Sequence, residues 1–171
     1  MQRFIWFLIM KILVCIKQVC DSESPILIDD HARWIQTDAL TGYKMNRLDE
    51  FAVEEAVLLK EAYPDTHIDA ISLGPDRSAE VIKRAIGMGA DHGVHIITDS
   101  EGYINPFTIA SSISDYARDK HYSLIFTGVM SEDQMQGQVG PMIAACLYLP
   151  WTTAVIWRSI QTRSGRSVAR I

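Results

Sequence analysis

Residues 67–98 read HIDAISLGPDRSAEVIKRAIGMGADHGVHIIT, and the order of signals in this stretch settles the fold class. His67 to Leu73 is a strand, and Gly74-Pro75 breaks it with a turn. Arg77 to Gly87 is a helix, and Gly87 and Gly89 stand where a C-cap glycine is needed. Gly93 to Thr98 then returns to strand. Two strands joined through a helix with short links are a βαβ unit, which places the strands parallel.

The same alternation continues on both sides. Toward the N-terminus, Lys11 to Val19 (KILVCIKQV) is a continuous apolar run, as expected of a parallel strand covered on both faces. Cys20 to Asp30 reads as a loop, and Arg33 to Thr37 as a short strand. From Asn46 the period becomes helical. Leu48, Ala52, Ala56 and Leu59 form one stripe, widened by Phe51, Val53 and Val57, while Glu50, Glu54 and Glu55 leave it. Asn46 is placed to cap this helix, Asp49 supports its positive end, and Tyr63-Pro64-Asp65 stops it. Toward the C-terminus, Pro106 to Lys120 is a helix and Ser123 to Thr127 a strand. A glycine-bearing loop from Gly128 to Gly140 leads into a helix through Leu147, and Thr152 to Trp157 is read as a further strand. The expected architecture is α/β, a doubly wound and mostly parallel sheet.

Composition narrows the function. The chain has 171 residues, 48% of them apolar and 22% charged, which suits one folded domain. A formal charge of −5, with Lys and Arg scattered, argues against a nucleic-acid partner. Cys15, Cys20 and Cys146 form no CxxC pair and are odd in number, which fits a reducing compartment. Residues 1–9 are read as a leader or misassigned start, residues 10–157 as the nucleotide-binding domain, and 158–171 as a C-terminal segment rich in arginine. The apolar run from Phe4 to Ile16 is too short to span a bilayer, so no membrane insertion is expected. A tag or upstream start, a genuine extension and an anchor remain open for it.

Known catalytic signatures are missing. There is no GxSxG elbow and no Walker loop. The GMGADHG run at Gly87–Gly93 closes a helix where a dinucleotide fingerprint would open one. His92 and His95, three apart on a strand, face opposite sides, and His31, His67 and His121 are isolated in sequence, so no metal site is expected. A ligand is expected beyond the carboxyl ends of the strands. Cys15 to Lys17, Ser72 to Pro75, Asn46 and Gly128 to Gly140 converge there. Gly128, Gly137 and Gly140 allow close backbone approach, and the helix that follows offers free N–H groups to a phosphate. Asp133, Gln134, Gln136 and Gln138 could hydrogen-bond a ribose or an adenine edge. Each has a plainer reading: an ordinary strand-to-helix loop, an N-cap at Asn46, a buried thiol at Cys15.

From Lys11 to about Trp157 the chain resembles the β subunits of electron transfer flavoproteins. The likeness rests on KILVCIKQV (11–19), NRLDEFAVEEA (46–56), SLGP (72–75), AIGMGAD (85–91) and Thr127-Gly128 through Gln138-Val139-Gly140-Pro141, in this order. The resemblance implies nucleotide contacts from Cys15, Asn46, Arg47, Leu48, Asp49, Leu73, Gly128, Val129, Met130, Ser131, Glu132, Asp133, Gln134, Met135, Gln136, Gly137, Gln138 and Val139. It further implies an α/β fold of the adenine-nucleotide-binding, Rossmann-like type and a non-enzymatic electron carrier that works in a heterodimer. In that family the α subunit supplies the main FAD, and the β subunit holds AMP or, in the bifurcating subgroup, a second FAD. Electrons come from acyl-CoA or other dehydrogenases and pass to a quinone reductase or another acceptor. The implied compartment is the cytoplasm, or the mitochondrial matrix in a eukaryote.

The chain departs from the family pattern in places. Arg47 replaces the proline usual after the asparagine, Val129 and Met130 replace a lysine-glutamine pair, and Gln134-Met135-Gln136 lacks the usual acidity. Family members also continue past Ile171, so the resemblance implies a truncated C-terminal part. The Gln138-to-Pro141 sequence resembles bifurcating-type loops and favours FAD over AMP. Two other readings stay open: a stand-alone adenine-nucleotide-binding module, and an adenylating α-hydrolase-type enzyme. No SGGxDS-like loop follows the first strand, as the latter would need.

Overall fold

The structure is a computed structural model that describes residues 10–25, 27–28, 35–36, 41–154, 159–163 and 166–170, the last two stretches as backbone. Its centre is a four-stranded parallel sheet. The strands are β1 (Lys11–Cys15), β6 (His67–Gly74), β7 (His92–Ile97) and β8 (Leu124–Thr127), in the spatial order β7-β6-β1-β8. In order of entry this is third, second, first, fourth, so the winding reverses between β1 and β8.

Period-two alternation along β1 explains why its run is apolar throughout. Ile12 and Val14 point into one core, with Val53, Ala56 and Leu59 of α1 (Arg47–Ala62) and Val81, Ile82 and Ala85 of α2 (Ala79–Met88). Leu13 and Cys15 point into the other, with Ala110, Ile113 and Ala117 of α3 (Pro106–Ala117) and Ile143 of α4 (Val139–Leu147). Helices therefore cover both faces, and the doubly wound α/β class read from the sequence is the observed one.

Several boundaries differ from expectation. The run 11–19 is not one strand. Ile16 still donates to Ile71 O at 2.8 Å, but the Lys17 amide turns to the Asp49 carboxylate at 2.7 Å. The chain bends there, and β2 (Gln18–Cys20) pairs antiparallel with β5 (Tyr43–Met45) in a separate ribbon. Leu27–Ile28 (β3) and Ile35–Gln36 (β4) form a second short ribbon, the latter inside the strand expected at 33–37. Helix α1 is rotated relative to the expected stripe: Asp49, Val53, Ala56 and Leu59 are buried, whereas Phe51 is exposed.

Asn46 occupies the N-cap position of α1 without a side-chain cap. Its carboxamide pairs instead with the loop after β8. A short 3-10 turn at Asp76–Ser78 precedes α2, Gly87 lies inside α2, and Gly89, at φ 129°, is the C-cap. The expected start of α3 is observed at Pro106, where the Asn105 side chain accepts from the Phe107 amide at 2.8 Å. Residues 152–154 carry no strand, and 155–157 of the expected strand lie outside the described residues. Beyond them β9 (Ser159–Arg163) and β10 (Arg166–Arg170) pair antiparallel. No described helix is long and apolar enough to cross a membrane; residues 1–9 lie outside the description.

Candidate functional site

The winding reversal opens a cleft beyond the carboxyl ends of β1, β6 and β8, where ligands of open parallel sheets sit. Its floor is built around Asp49. That side chain, buried in the first turn of α1, accepts from the Lys17 amide at 2.7 Å and from the Gly128 amide at 3.1 Å. One carboxylate thus joins the end of β1 to the end of β8. Burial pushes its pKa up to about 7, against the hydrogen bonds from Lys17, Asn46 and Gly128, which pull it down.

Asn46 does the companion task. Its Nδ2 donates to Met130 O at 2.9 Å, and its Oδ1 accepts from the Glu132 amide at 3.0 Å. Paired this way with the loop, the side chain makes no cap bond to the first amides of α1. Glu132 replaces it at the start of α1: its carboxylate accepts from the Arg47 amide at 3.3 Å. The positive end of α1 is therefore taken by an acidic side chain.

The end of α4 is different. Val139 and Gly140 open that helix against the cleft, and their N–H groups have no carbonyl one turn earlier. Around them, Arg77 and Ser131 line the cleft, and the buried Arg77 Nε and Ser131 Oγ have no hydrogen-bond partner among the described residues. The Arg77 guanidinium also lies 4.2 Å from the centre of the Tyr43 ring and pairs with Glu101. Across the mouth, Lys17 Nζ bonds Asp133 at 2.7 Å. Free donors at a helix start, an arginine and polar side groups on an otherwise apolar wall suit a phosphate-bearing ligand with a flat, largely apolar body.

Among the residues singled out in the sequence, Cys15, Asn46, Asp49, Leu73, Gly128, Met130, Ser131, Asp133, Gln134, Gln136, Gly137 and Val139 line this cleft. Arg47, Leu48, Val129, Glu132, Met135 and Gln138 do not. Burial, with Asp49 as a second cause, raises the Cys15 thiol pKa, so Cys15 is held as a neutral wall group. The glycines serve the protein itself. A Cβ on Gly128 would lie 2.2 Å from Asp49 Oδ1, and one on Gly137 2.6 Å from Val129 O. Gly137 therefore lets the loop close on its own Val129 carbonyl. Sequence reasoning missed Tyr43, Arg77, Ser78 and the segment Ser100 to Gly102. Arg77 and Ser100–Gly102 follow the carboxyl ends of β6 and β7, so the strand-end rule that found the other loops could have found them.

Comparison with known proteins identifies the family. A family model of the electron transfer flavoprotein domain matches residues 34–169. The electron transfer flavoprotein subunit beta of Bradyrhizobium diazoefficiens is 34% identical over 156 residues, 91% of this chain and 61% of that protein. The subunit of the same name from Dictyostelium discoideum is 36% identical over 144 residues, 84% of this chain and 56% of that protein. The one from Mus musculus is 34% identical over 146 residues, 84% and 57%. This chain thus spans somewhat over half the length of these relatives. Matched over most of its residues by the domain and by subunits of one name, the chain belongs to the electron transfer flavoprotein family.

Proposed function

We propose that this chain is the β-type part of a heterodimeric electron carrier, and that the cleft at the winding reversal holds an adenine nucleotide. The observation that carries the reading is that an open α4 N-terminus and the unpartnered Arg77 Nε and Ser131 Oγ line one cleft. Glu132 occupies the start of α1, whereas the start of α4 opens on the cleft with its first amides free, which favours α4 for the phosphate. Gln134 and Gln136 line the same loop and offer both donors and acceptors to the adenine or ribose.

A bound flavin supplies reversible one- and two-electron chemistry. The chain's own residues would bind and orient the nucleotide, with Asp49 and Asn46 fixing the loop that faces it. The main FAD and the electron-transfer role require an α-type partner, with dehydrogenases as donors and a quinone reductase or other acceptor downstream. Tyr148, Leu149 and Trp151 are exposed after α4 and offer apolar groups for such a partner to cover. For the cleft ligand, the likeness of Gln138 to Pro141 to bifurcating-type loops favours FAD over AMP. The test is to reconstitute the heterodimer with a full-length β chain, denature it and identify what is released. Two FAD per heterodimer supports the dinucleotide, and one FAD with one AMP supports the mononucleotide. FAD alone, with no second nucleotide, overturns the nucleotide-binding role of the cleft.

A further inference from the structure

We propose that His67, Asp69 and His92 form a binding site for a divalent cation of the zinc class at the amino ends of the strands. The site lies at the opposite edge of the sheet from the cleft. His67 and Gly74 are the two ends of β6, seven residues or about 23 Å apart along the strand.

Register brings the three together. Asp69 of β6 sits directly beside His92 of β7, and His67, two residues earlier, faces the same side as Asp69. The ligand atoms are 2.8 Å (His67 Nε2 to His92 Nδ1), 3.1 Å (His67 Nε2 to Asp69 Oδ1) and 3.7 Å (His92 Nδ1 to Asp69 Oδ1) apart. Vertices of a tetrahedron around zinc, at bond lengths of about 2.0–2.1 Å, lie roughly 3.3–3.4 Å from one another. The three atoms therefore mark one face of such a tetrahedron, with the fourth position toward solvent past the exposed His92. The two rings are tilted by 47°, so they are not stacked; nitrogen faces nitrogen.

The surrounding groups orient these ligands. Tyr122 OH donates to Asp69 Oδ2 at 2.5 Å and Lys11 Nζ lies 3.2 Å from the same oxygen, which leaves Oδ1 to the histidines. Asp91 Oδ2 accepts from the Ile68 amide at 2.9 Å and lies 3.6 Å from His67 Nδ1, so its negative charge borders the outer nitrogen of that ring and leaves Nε2 facing His92 and Asp69. With Lys11 offsetting the Asp69 charge, most of the affinity must come from two imidazoles. That selects zinc-like cations over magnesium or calcium, which prefer oxygen cages.

The experiment titrates the full chain, stripped with a chelator, with Zn²⁺ by calorimetry and with Co²⁺ by visible absorption, with Mg²⁺ as control. The expected result is one Zn²⁺ per chain and a Co²⁺ spectrum of low coordination number, with no response to Mg²⁺. His92→Ala removes both signals while circular dichroism stays unchanged, since His92 is exposed. No binding to the unaltered chain at millimolar Zn²⁺, or undiminished binding in both His92→Ala and His67→Ala, overturns the site. The two histidines would then simply share a hydrogen bond.

Discussion

Asp49 and Gly128 meet at 3.1 Å, carboxylate to amide, with no room between them for a single methyl group. Asp49 lies in the first turn of α1 and Gly128 at the end of β8, 79 residues apart in sequence. The contact fixes the base of the loop that forms one wall of the cleft, so the fold and the site share it.

Substitutions at three glycines separate this packing role from simple helix propensity. Gly128→Ala forces a Cβ against Asp49 Oδ1 and the Leu48 backbone, and Gly137→Ala against the Val129 carbonyl. Each is expected to lower stability by about 1–3 kcal/mol, through overpacking. A Cβ on Gly87, inside α2, meets nothing within 4 Å. Gly87→Ala should therefore stabilise by about 0.5–1 kcal/mol. Denaturant midpoints check all three, and an unchanged midpoint for Gly128→Ala would show that the loop base yields freely.

Asp49 makes stability pH-dependent in a direction opposite to that of a salt-bridged carboxylate. Burial raises its pKa from an ordinary 3.8 to about 7 in the folded chain. The folded state then holds a proton that the unfolded chain has released, so stability from this group is complete below about pH 4. It falls as the pH rises toward 7 and levels off above it. Unfolding followed in a series of buffers should show that decline, and Asp49→Asn should flatten it. The asparagine variant should also be less stable throughout, because Nδ2 cannot accept the N–H that a carboxylate oxygen receives. A decline that survives intact in Asp49→Asn assigns it to another group.

Arg77 offers the most direct probe of the cleft, because its Nε is buried there without a hydrogen-bond partner and it belongs to neither core cluster. Loss of one hydrogen bond to a charged group is worth about 1.5–3 kcal/mol, roughly 10- to 150-fold in affinity. Arg77→Gln should weaken nucleotide retention by that factor with an unchanged circular dichroism spectrum. Equilibrium dialysis with AMP and with FAD measures it, and equal retention of both would remove Arg77 from the ligand-binding wall.

The sequence by itself determined the repeating architecture. Strand, turn, helix and C-cap glycine are local signals, set by backbone sterics and by which face is apolar, and residues 67–98 display all of them. It also placed the cleft in outline, because ligands collect at the carboxyl ends of parallel strands whatever the side chains are. The family likeness came from short motifs in a fixed order.

Only the tertiary structure decided which partner each polar group takes. Asn46 has the sequence position of a helix cap, yet its carboxamide pairs with Met130 and Glu132, 84 and 86 residues away. The apolar run at 11–19 promised one long strand, but a buried carboxylate on α1 claims the Lys17 amide and ends the ladder early. His67 and His92 are 25 residues apart and isolated by sequence spacing; the register of β6 against β7 sets their ring nitrogens 2.8 Å apart. Such pairings depend on strand register and on which long-range groups are buried together, and a local pattern of residues carries neither.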